Sequence, residues 1–319
     1  MKKKPEIIIL TGPTAVGKTN LSIKLAKAVN GEIISADSMQ IYKGMDIGTA
    51  KIREAEMEGI PHHLVDALEP EEPLSVALFQ SMARDAVNKI TEKGKIPIVT
   101  GGTAFYIQAL LYGIDFTGEE QDTTFRNAMY EKGETEEGKK AIYEELKALD
   151  AEYAETVHYN NLKRVVRALE YYHHTGEKFS AYNERQRERN AEYAFCYFVL
   201  NDDRERLYER IDKRVDIMVE EGLLEEVKAI YLKGYDRSLP SMQAVGYKEL
   251  FSHYDGECSL EEAIQMIKQD SRHYAKRQLT WFRKEKDVIW IDKDKFGYDE
   301  EKILSFMLEE IRKMEQNNE

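Results

Sequence analysis

The sequence contains few cysteines, and this excludes several classes of protein. Only two occur in the 319 residues, Cys196 and Cys258, and they stand far apart along the chain. Two isolated thiols cannot build a Cys₄ or Cys₂His₂ zinc site alone, and they do not make the cysteine framework of a small secreted domain. We therefore expect both side chains to be reduced thiols that pack as small apolar groups.

Long hydrophobic runs are also missing. No apolar stretch approaches the length needed to cross a bilayer, and the start, MKKKP, lacks the apolar segment of a signal peptide. No internal repeat and no low-complexity tract is present. With 42% hydrophobic and 33% charged residues, the composition predicts a soluble globular protein of the cytoplasm with no membrane partner. The length allows two domains or one core that carries an insertion.

The net charge of -13 argues at first against a polyanionic partner, but the charge is unevenly distributed. Residues 117–155 contain 12 acidic and 5 basic side chains, a net charge of -7. Residues 163–189 contain 7 basic and 4 acidic side chains (net +3), and residues 272–286 contain 6 basic and 1 acidic (net +5). Because salt screens charges beyond about 8–10 Å, two local basic patches can contact nucleic acid on an acidic protein. Solvated helix faces are the alternative that charge alone leaves open.

The most informative motif is GPTAVGKT at residues 12–19, which directly follows the apolar run IIIL. It matches G-x-x-x-x-G-K-[ST] between a buried strand and a helix, the pattern of a phosphate-binding loop. The glycines let backbone N–H groups point at an anion, Lys18 adds a positive charge, and the helix amino terminus faces the same point. The hydroxyl of Thr19 is a candidate ligand for Mg²⁺, the predicted cofactor. The predicted diphosphate-binding residues are Gly12, Pro13, Thr14, Ala15, Val16, Gly17, Lys18 and Thr19.

Alternating strands and helices predict an α/β fold. Short branched apolar runs predict strands at residues 6–10, 32–36, 95–100, 194–200 and 288–291, with amphipathic helices between them. This order indicates a P-loop NTPase-like parallel sheet flanked by helices. Residues 117–190 are polar and helical in pattern, so we interpret them as an inserted all-helical domain. The core domain is then formed by residues 1–116 and 191–319.

Further candidate residues follow the predicted strands. Asp37 comes just after the second strand, and a carboxylate there has three possible roles: magnesium ligand, general base, or cap of the next helix. Residues 101–103 (GGT) follow the third strand and form either a second turn at the same cleft or a purely structural turn. The adjacent His62 and His63 diverge, which favours packing or hydrogen bonding over a shared metal.

Residues 272–286 (RHYAKRQLTWFRKEK) combine basic and aromatic side chains. Such a segment can stack bases and neutralise phosphates. A helix with Tyr274, Trp281 and Phe282 packed into the core would give a similar pattern. A capping box at Ser259 and Glu262 predicts the start of the helix that carries this segment.

Several motifs occur in the order seen in tRNA dimethylallyltransferases, and the chain closely resembles a bacterial member of that family. The resemblance extends to about residue 291. Ile52 replaces a usual Pro, Ala104-Phe105 replaces a usual Gly-Leu, and the match around Arg126 is weaker. The motifs are GPTAVGKT (12–19), DSMQIY (37–42), GMDIGTAK (44–51), PHH (61–63), TGGTAFYIQALL (100–111), RVVRALE (164–170), RIDKRVDIMVEEGLLEEV (210–227), AVGYKE (244–249) and AKRQLTWFR (275–283).

The resemblance implies transfer of a dimethylallyl group from dimethylallyl diphosphate to the exocyclic amine of the adenosine just 3′ of a tRNA anticodon. It implies Asp37 as the general base, Thr103 near the diphosphate and the incoming base, and Arg126 near the leaving diphosphate. The adenosine must flip out of its stack to reach the site, and the helical insertion would act as an arm around the anticodon stem. The implied tRNA contacts are Asp37, Ser38, Met39, Gln40, Lys163, Arg164, Arg167, Gln243, Gly246, Tyr247, Lys276, Arg277, Gln278, Thr280, Trp281 and Arg283.

Three other functions fit parts of the sequence. A P-loop small-molecule kinase would use the same loop for ATP, but it gives the basic aromatic segment no role. A prenyltransferase that acts on free adenine nucleotides, or an ATP-dependent RNA-binding switch, would also use the loop. We expect a monomer whose partners are dimethylallyl diphosphate and the anticodon stem-loop of tRNA.

Overall fold

The computed structural model describes residues 6–114, 116, 124–187 and 190–317. The remaining positions, which include the start MKKKP and parts of the acidic and first basic segments counted above, lie outside the described residues. Within the described ranges, no helix combines the length and the apolar composition that a membrane crossing requires. Cys196 and Cys258 are both free thiols, as predicted.

Six parallel strands form one sheet in the order β3-β2-β4-β1-β5-β6. The P-loop NTPase-like parallel sheet predicted from the sequence is therefore confirmed. Each of the five predicted strands is present, and its ends shift by no more than one residue. The edge strand β3 was not predicted because its two residues are too short to show a pattern. The strands are β1 (Glu6–Thr11), β2 (Gly31–Ser35), β3 (His62–His63), β4 (Ile96–Gly101), β5 (Ala194–Asn201) and β6 (Val288–Asp292).

Helices connect the strands, and Leu260–Phe282 begins at the predicted capping box, where Glu262 N–H lies 3.2 Å from Ser259 Oγ. The helices are α1 (Lys18–Val29), α2 (Val76–Glu92), α3 (Ala104–Tyr112), α4 (Thr124–Lys132), α5 (Glu136–Leu149), α6 (Ala151–Ala154), α7 (Leu162–Thr175), α8 (Phe179–Arg187), α9 (Arg204–Glu220), α10 (Leu223–Leu232), α11 (Tyr247–Tyr254), α12 (Leu260–Phe282) and α13 (Glu300–Asn317).

The chain divides into two compact units. A sheet unit comprises residues 1–111 and 192–319, and a helical unit comprises residues 112–191. In the sheet unit, Ile8 and Leu10 of β1 pack in one cluster with Leu21 of α1 and Met307 of α13. Ile7 and Ile9, which alternate with them and point to the other face, are also fully buried. Both faces of the sheet are therefore covered, as expected for parallel strands.

The helical unit has its own apolar core. Ile142 and Leu146 of α5 and Val165 and Leu169 of α7 belong to one buried cluster. In each helix the two residues are four positions apart, so they lie on the same helical face. The described part of this unit is all helical, as its polar, strand-free sequence suggested.

A buried ion-pair cluster lies at the amino end of β2. The carboxylate of Glu32, which is 1% exposed, lies 2.8 Å from His63 Nε2, 3.0 Å from Lys93 Nζ and 2.9 Å from Lys95 Nζ. Burial alone would raise the pKa of Glu32, but the hydrogen bonds from these three side chains lower it to about 2. His62 Nδ1 lies 2.8 Å from the carbonyl oxygen of Ile60, so both histidines make hydrogen bonds, as predicted.

We expect Glu32→Gln to lower the free energy of unfolding of the sheet unit by about 1–3 kcal/mol at pH 7. The pKa of Glu32 is lower in the folded protein than in the unfolded chain, where it is 4.5. Its stabilising contribution is therefore complete above pH 4.5 and is lost as the pH falls towards about 2. The difference between the parent and the variant should shrink over the same range.

Urea unfolding followed by tryptophan fluorescence measures this, because both tryptophans, Trp281 and Trp290, belong to the sheet unit. Glu92→Gln, which removes an exposed carboxylate from α2, is the control and should leave stability unchanged. A Glu32→Gln difference that stays constant from pH 7 to pH 3 would contradict the assigned role of the carboxylate.

Candidate active site at the carboxyl edge of the sheet

The loop between β1 and α1 wraps around the ammonium group of Lys18. Lys18 Nζ donates to the carbonyl oxygens of Gly12 (2.9 Å) and Pro13 (2.8 Å). Gly12 has a φ of +148°, and a Cβ there would lie 2.6 Å from the carbonyl oxygen of Leu200, so only glycine fits. Gly17, with a φ of +100°, directly precedes the first residue of α1. The loop therefore has the backbone bends and the helix amino terminus that bind an anion.

The electrostatics of Lys18 also favour an anionic ligand. The pKa of Lys18 is lowered to about 7, chiefly because the side chain is desolvated; the charge of Asp37 opposes this effect, and the charge of Arg214 adds to it. An anion bound beside the ammonium group would stabilise its charged form. Thr19 lies exposed in the first turn of α1, next to Lys18.

Asp37 fixes a turn just beyond β2. Its Oδ1 accepts from the backbone N–H of Met39 (2.9 Å) and of Gln40 (3.4 Å). Of the three roles left open by the sequence, capping is therefore partly realised, although the carboxylate caps a turn and not a helix. The same carboxylate lines a cavity described below, which leaves the general-base role chemically open.

The GGT turn after β4 is bonded to the Asp37 turn. Thr103 Oγ1 accepts from the backbone N–H of Ser38 at 3.1 Å, and the N–H of Thr103 donates to Ala36 at 3.1 Å. A Cβ on Gly101 would lie 2.3 Å from the backbone of Ala36, so this close approach requires glycine. The two turns form one structure, and Thr103 lies beside Ser38. A role for Thr103 at the diphosphate and the incoming base stays a prediction.

Gln278 of α12 connects the predicted phosphate-binding loop (residues 12–19) to the GGT turn. Its Oε1 accepts from the backbone N–H of Thr14 at 2.9 Å, and its Nε2 donates to the carbonyl oxygen of Gly102 at 2.9 Å. The side chain is buried, and a Cβ on Gly102 would collide with its amide. Gln278, predicted from resemblance as a tRNA contact, thus uses both amide atoms inside the protein.

Sequence reasoning missed additional cations around the loop. Arg214 of α9 donates to Thr14 Oγ1 at 3.3 Å, and Lys293, which follows β6, donates to the carbonyl oxygen of Val16 at 3.0 Å. Burial lowers the pKa of both side chains, and the nearby Arg210 lowers both further. In the sequence, Arg210 and Arg214 resemble the charged face of an ordinary amphipathic helix. The signal available was their position in the RIDKR part of a family motif.

These elements enclose a cavity of about 320 Å³ in the sheet unit. Its polar wall contains Thr14, Asp37, Ser38 and Arg214. Apolar side chains also line the cavity: Met39, Ile211, Val215, Met218, Leu223 and Ile267. Such a cavity suits a ligand that combines an anionic group with a short hydrocarbon.

Tyr274 and Arg277 of α12 also belong to the polar lining of the cavity. Burial, together with the charge of Asp37, raises the pKa of Tyr274 to about 12. The guanidinium carbon of Arg277 lies 5.8 Å from the centroid of the Tyr274 ring. A neutral phenol beside the Asp37 carboxylate therefore faces the cavity at neutral pH.

A carboxylate from α10 shapes the rim of the cavity. Glu226 accepts from the backbone N–H groups of Asp46 (2.8 Å), Ile47 (2.7 Å) and Gly48 (3.0 Å), and from the hydroxyl of Tyr247 (2.6 Å). Gly48 lines the cavity, and a Cβ there would lie 2.5 Å from the Tyr247 ring.

Three of the predicted tRNA contacts lie at or behind this rim. Tyr247 is fully buried behind it, whereas Gln243 and Gly246 line the cavity.

Ser38, Met39 and Gln40, the other predicted tRNA contacts in the Asp37 turn, differ in where their side chains lie. Ser38 and Met39 line the cavity, whereas the amide of Gln40 turns back into the loop. Gln40 Nε2 donates to the carbonyl oxygens of Thr49 and Ala50, each at 3.2 Å.

The last turns of α12 divide the basic aromatic segment between surface and core. Phe282 is fully buried, Trp281 is 38% exposed, and Tyr274 lines the cavity. The sequence left two interpretations open, a segment that stacks bases and a helix that packs all three aromatic residues into the core. Neither describes all three residues, because one is buried, one is exposed and one lines the cavity. The exposed predicted contacts on this segment are Lys276, Arg277, Thr280, Trp281 and Arg283.

The helical unit holds the other predicted residues. Arg126 Nε and Nη2 donate to the two carboxylate oxygens of Glu170 at 2.9 and 3.0 Å, and Glu170 is 2% exposed. Arg167 also lies near this carboxylate, at 3.7 Å, whereas Lys163 and Arg164 are exposed. A role for Arg126 at a diphosphate stays a prediction.

Comparisons with known proteins agree with this geometry. The sequence profile of the family described as IPP transferase matches residues 40–285, and that of isopentenyl transferase matches residues 5–69. A tRNA dimethylallyltransferase of Lachnoclostridium phytofermentans is 55% identical over 92% of this chain and 93% of its own length.

Two solved structures share the architecture. The tRNA isopentenylpyrophosphate transferase of Bacillus halodurans superposes with a TM-score of 0.74 at 41% identity, covering 98% of this chain and 99% of that one. A eukaryotic dimethylallyltransferase acting on tRNA gives a TM-score of 0.77 at 33% identity, covering 90% and 74%.

Proposed function

Because the chain belongs to the IPP transferase family, we propose that it is a tRNA dimethylallyltransferase. It transfers the five-carbon group of dimethylallyl diphosphate to the exocyclic amine of the adenosine 3′ of a tRNA anticodon. The observation that carries this proposal is the cavity, which is lined by residues of the predicted phosphate-binding loop, by the carboxylate of Asp37 and by a wall of apolar side chains. The alternative of a P-loop small-molecule kinase gives no role to a hydrocarbon-binding wall beside the loop.

The loop residues bind the diphosphate. Lys18 and the backbone N–H groups at the start of α1 hold its oxygens, and Arg214, bonded to Thr14, adds a second cation at 3.3 Å from that hydroxyl. The negative charge on the diphosphate grows as it leaves the allylic carbon. These fixed cations therefore stabilise the transition state more than the bound substrate.

Asp37 acts on the amine. An aryl amine is a weak nucleophile, and the carboxylate orients it and accepts its proton as the new bond forms. The amine nitrogen bonds to the allylic carbon, the bond from that carbon to the diphosphate oxygen breaks, and the proton moves to Asp37. The apolar side chains Met39, Ile211 and Val215 keep water away from the reacting carbon.

Mg²⁺ fits this site as a partner of the diphosphate. In the described part of the chain, no cluster of three or more His, Cys, Asp or Glu side chains could hold a metal by itself. Mg²⁺ at phosphate sites typically uses one or two protein oxygens together with phosphate oxygens and water, and Thr19 supplies the hydroxyl. When bound, it would neutralise negative charge on the leaving diphosphate.

The tRNA contacts extend over both units. We assign phosphate contacts to exposed Lys163 and Arg164 on α7 and to the basic end of α12. We propose that the protein acts as a monomer in the cytoplasm, where its tRNA substrates are used.

The direct test uses purified protein, Mg²⁺, dimethylallyl diphosphate and an unmodified anticodon stem-loop. Nucleoside digestion and mass spectrometry should reveal one adenosine that has gained a C₅H₈ group. A stem-loop with guanosine at the target position is the matched control. No modified adenosine in the parent reaction would refute the proposal. A phosphorylated product formed with ATP, or prenyl transfer to free AMP in preference to RNA, would establish one of the alternatives.

The basic end of α12 gives a quantitative prediction. Replacing Arg277 and Arg283 together by glutamine should flatten the dependence of log Kd on log salt concentration by about 1.4, roughly 0.7 for each cation that contacts single-stranded RNA. Lys302→Gln with Lys313→Gln removes the same charge from exposed positions of α13 and should leave the slope unchanged. Equal slopes for all three proteins would show that this helix does not contact RNA phosphates.

A further inference from the structure

Two aromatic rings lie together at the surface, and one of them is about one helical turn along α12 from Arg277, which lines the cavity. Phe105 is 37% exposed and Trp281 is 38% exposed, and their ring centroids are 5.9 Å apart with an interplanar angle of 56°. Phe105 is the second residue of α3 and directly follows the turn that contains Thr103, whereas Trp281 lies in the last turn of α12. Large apolar side chains grouped at a surface commonly mark a binding site.

The indole of Trp281 is held in a fixed orientation. Its Nε1 donates to Glu285 Oε1 at 2.9 Å, and the amide of Gln108 donates to the same oxygen at 3.4 Å. Gln108, which shares the Glu285 oxygen with the indole, lies on α3, the helix that carries Phe105. The two helices therefore present the rings as a preorganised pair, which lowers the entropy cost of binding a planar group.

Around the pair, the cations Arg277, Arg283, Lys284 and Lys286 outnumber the carboxylate of Glu285. Arg277 lines the cavity and stands four residues before Trp281, about one helical turn or ~6 Å along α12. Arg283, Lys284 and Lys286 follow it, and all three are exposed. A strand of nucleic acid that enters the cavity would keep its phosphates near these cations while a neighbouring base meets the rings.

We propose that Phe105 and Trp281 form a stacking platform for the base adjacent to the target adenosine in the anticodon loop. The inference rests on the proposed function, since it needs an adenosine withdrawn into the cavity. Removing that adenosine from the loop deprives its neighbour of a stacking partner. The platform replaces that partner, and because every base has an aromatic face it does so without reading sequence.

Tryptophan fluorescence provides the binding measurement. The chain has two tryptophans, so a Trp290→Phe background leaves Trp281 as the only one. We expect the unmodified stem-loop to quench this fluorescence as a base stacks on the indole. In the same background, Phe105→Ala should raise the Kd about tenfold, whereas Phe105→Tyr should restore binding to within about threefold. Leu232→Ala, at a 73% exposed apolar position on α10, is the control and should leave the Kd unchanged.

Abasic stem-loops test where the base lies. An abasic nucleotide on the 5′ or the 3′ side of the target should raise the Kd for the Trp290→Phe protein about tenfold at one of the two positions. At that position it should have little further effect on Phe105→Ala, because the interaction is already lost. Additive effects at both positions, or unquenched fluorescence at saturation, would overturn the platform. These measurements need no prenyl transfer, so a platform that fails while the parent still modifies adenosine leaves the proposed function intact.

Discussion

Replacing Asp37 by asparagine is expected to lower the single-turnover rate of prenyl transfer by about 10²–10⁴-fold. The amide oxygen of asparagine can still accept from the backbone N–H groups of Met39 and Gln40, which lie 2.9 and 3.4 Å from Oδ1. The turn therefore keeps its shape, while the negative charge of the carboxylate and its capacity to accept a proton are lost. The Kd for the stem-loop should stay within about threefold of the parent value.

Asp37→Ala provides the comparison that separates chemistry from structure, because it removes both the base and the turn acceptor. Glu209→Gln, an exposed carboxylate on α9, controls for the change in net charge. Rapid-quench measurements with saturating enzyme and stem-loop report the chemical step without product release. A parent-like rate in Asp37→Asn would remove Asp37 from proton transfer.

Replacing Lys18 by methionine should reduce kcat/KM for dimethylallyl diphosphate by about 10²–10³-fold. Methionine keeps a flexible, unbranched side chain but removes the ammonium group that lies 2.9 and 2.8 Å from the carbonyl oxygens of Gly12 and Pro13. Both parameters should change. KM should rise because a charge-assisted contact is lost, and kcat should fall because charge grows on the diphosphate as it leaves.

The matched control for this substitution lies on the same helix. Lys24→Met removes an ammonium group that pairs with Glu300 and Glu301 at the surface, at 3.1 and 2.8 Å, and should leave both kinetic parameters unchanged. A Lys18→Met protein that changes only KM would indicate that the ammonium group binds the substrate and its transition state equally. Unchanged parameters would show that the loop does not bind the diphosphate.

Local patterns were sufficient to predict the sheet and the loop from the sequence. Short buried strands are visible in the sequence as runs of β-branched apolar residues. The phosphate-binding loop requires glycines and a lysine at fixed spacing within eight residues. Asp37 and Thr103 were identified because both follow strands of a parallel sheet, whose carboxyl ends meet at one edge. Each of these inferences depends only on residues that are neighbours in sequence.

The remaining residues of the site depend on pairings between distant positions. Gln278 and Thr14 are 264 positions apart, Arg214 and Thr14 are 200 apart, and Glu226 and Asp46 are 180 apart. The sequence of α9 shows charged residues on an amphipathic helix, and no periodicity distinguishes a cation that faces a loop from one that faces water. The same limit applies to Phe282 and Trp281, adjacent residues of which one is buried and the other exposed.

The carboxylate of Glu226 has a consequence for how the rim can move. It accepts hydrogen bonds from three successive backbone N–H groups at residues 46–48 and from the hydroxyl of Tyr247. One carboxylate therefore connects the rim to the start of α11. Tyr247 also fills the space that a side chain at Gly48 would need. Moving residues 46–48 away from residues 246–247 would break these hydrogen bonds, so we expect the two segments to move together.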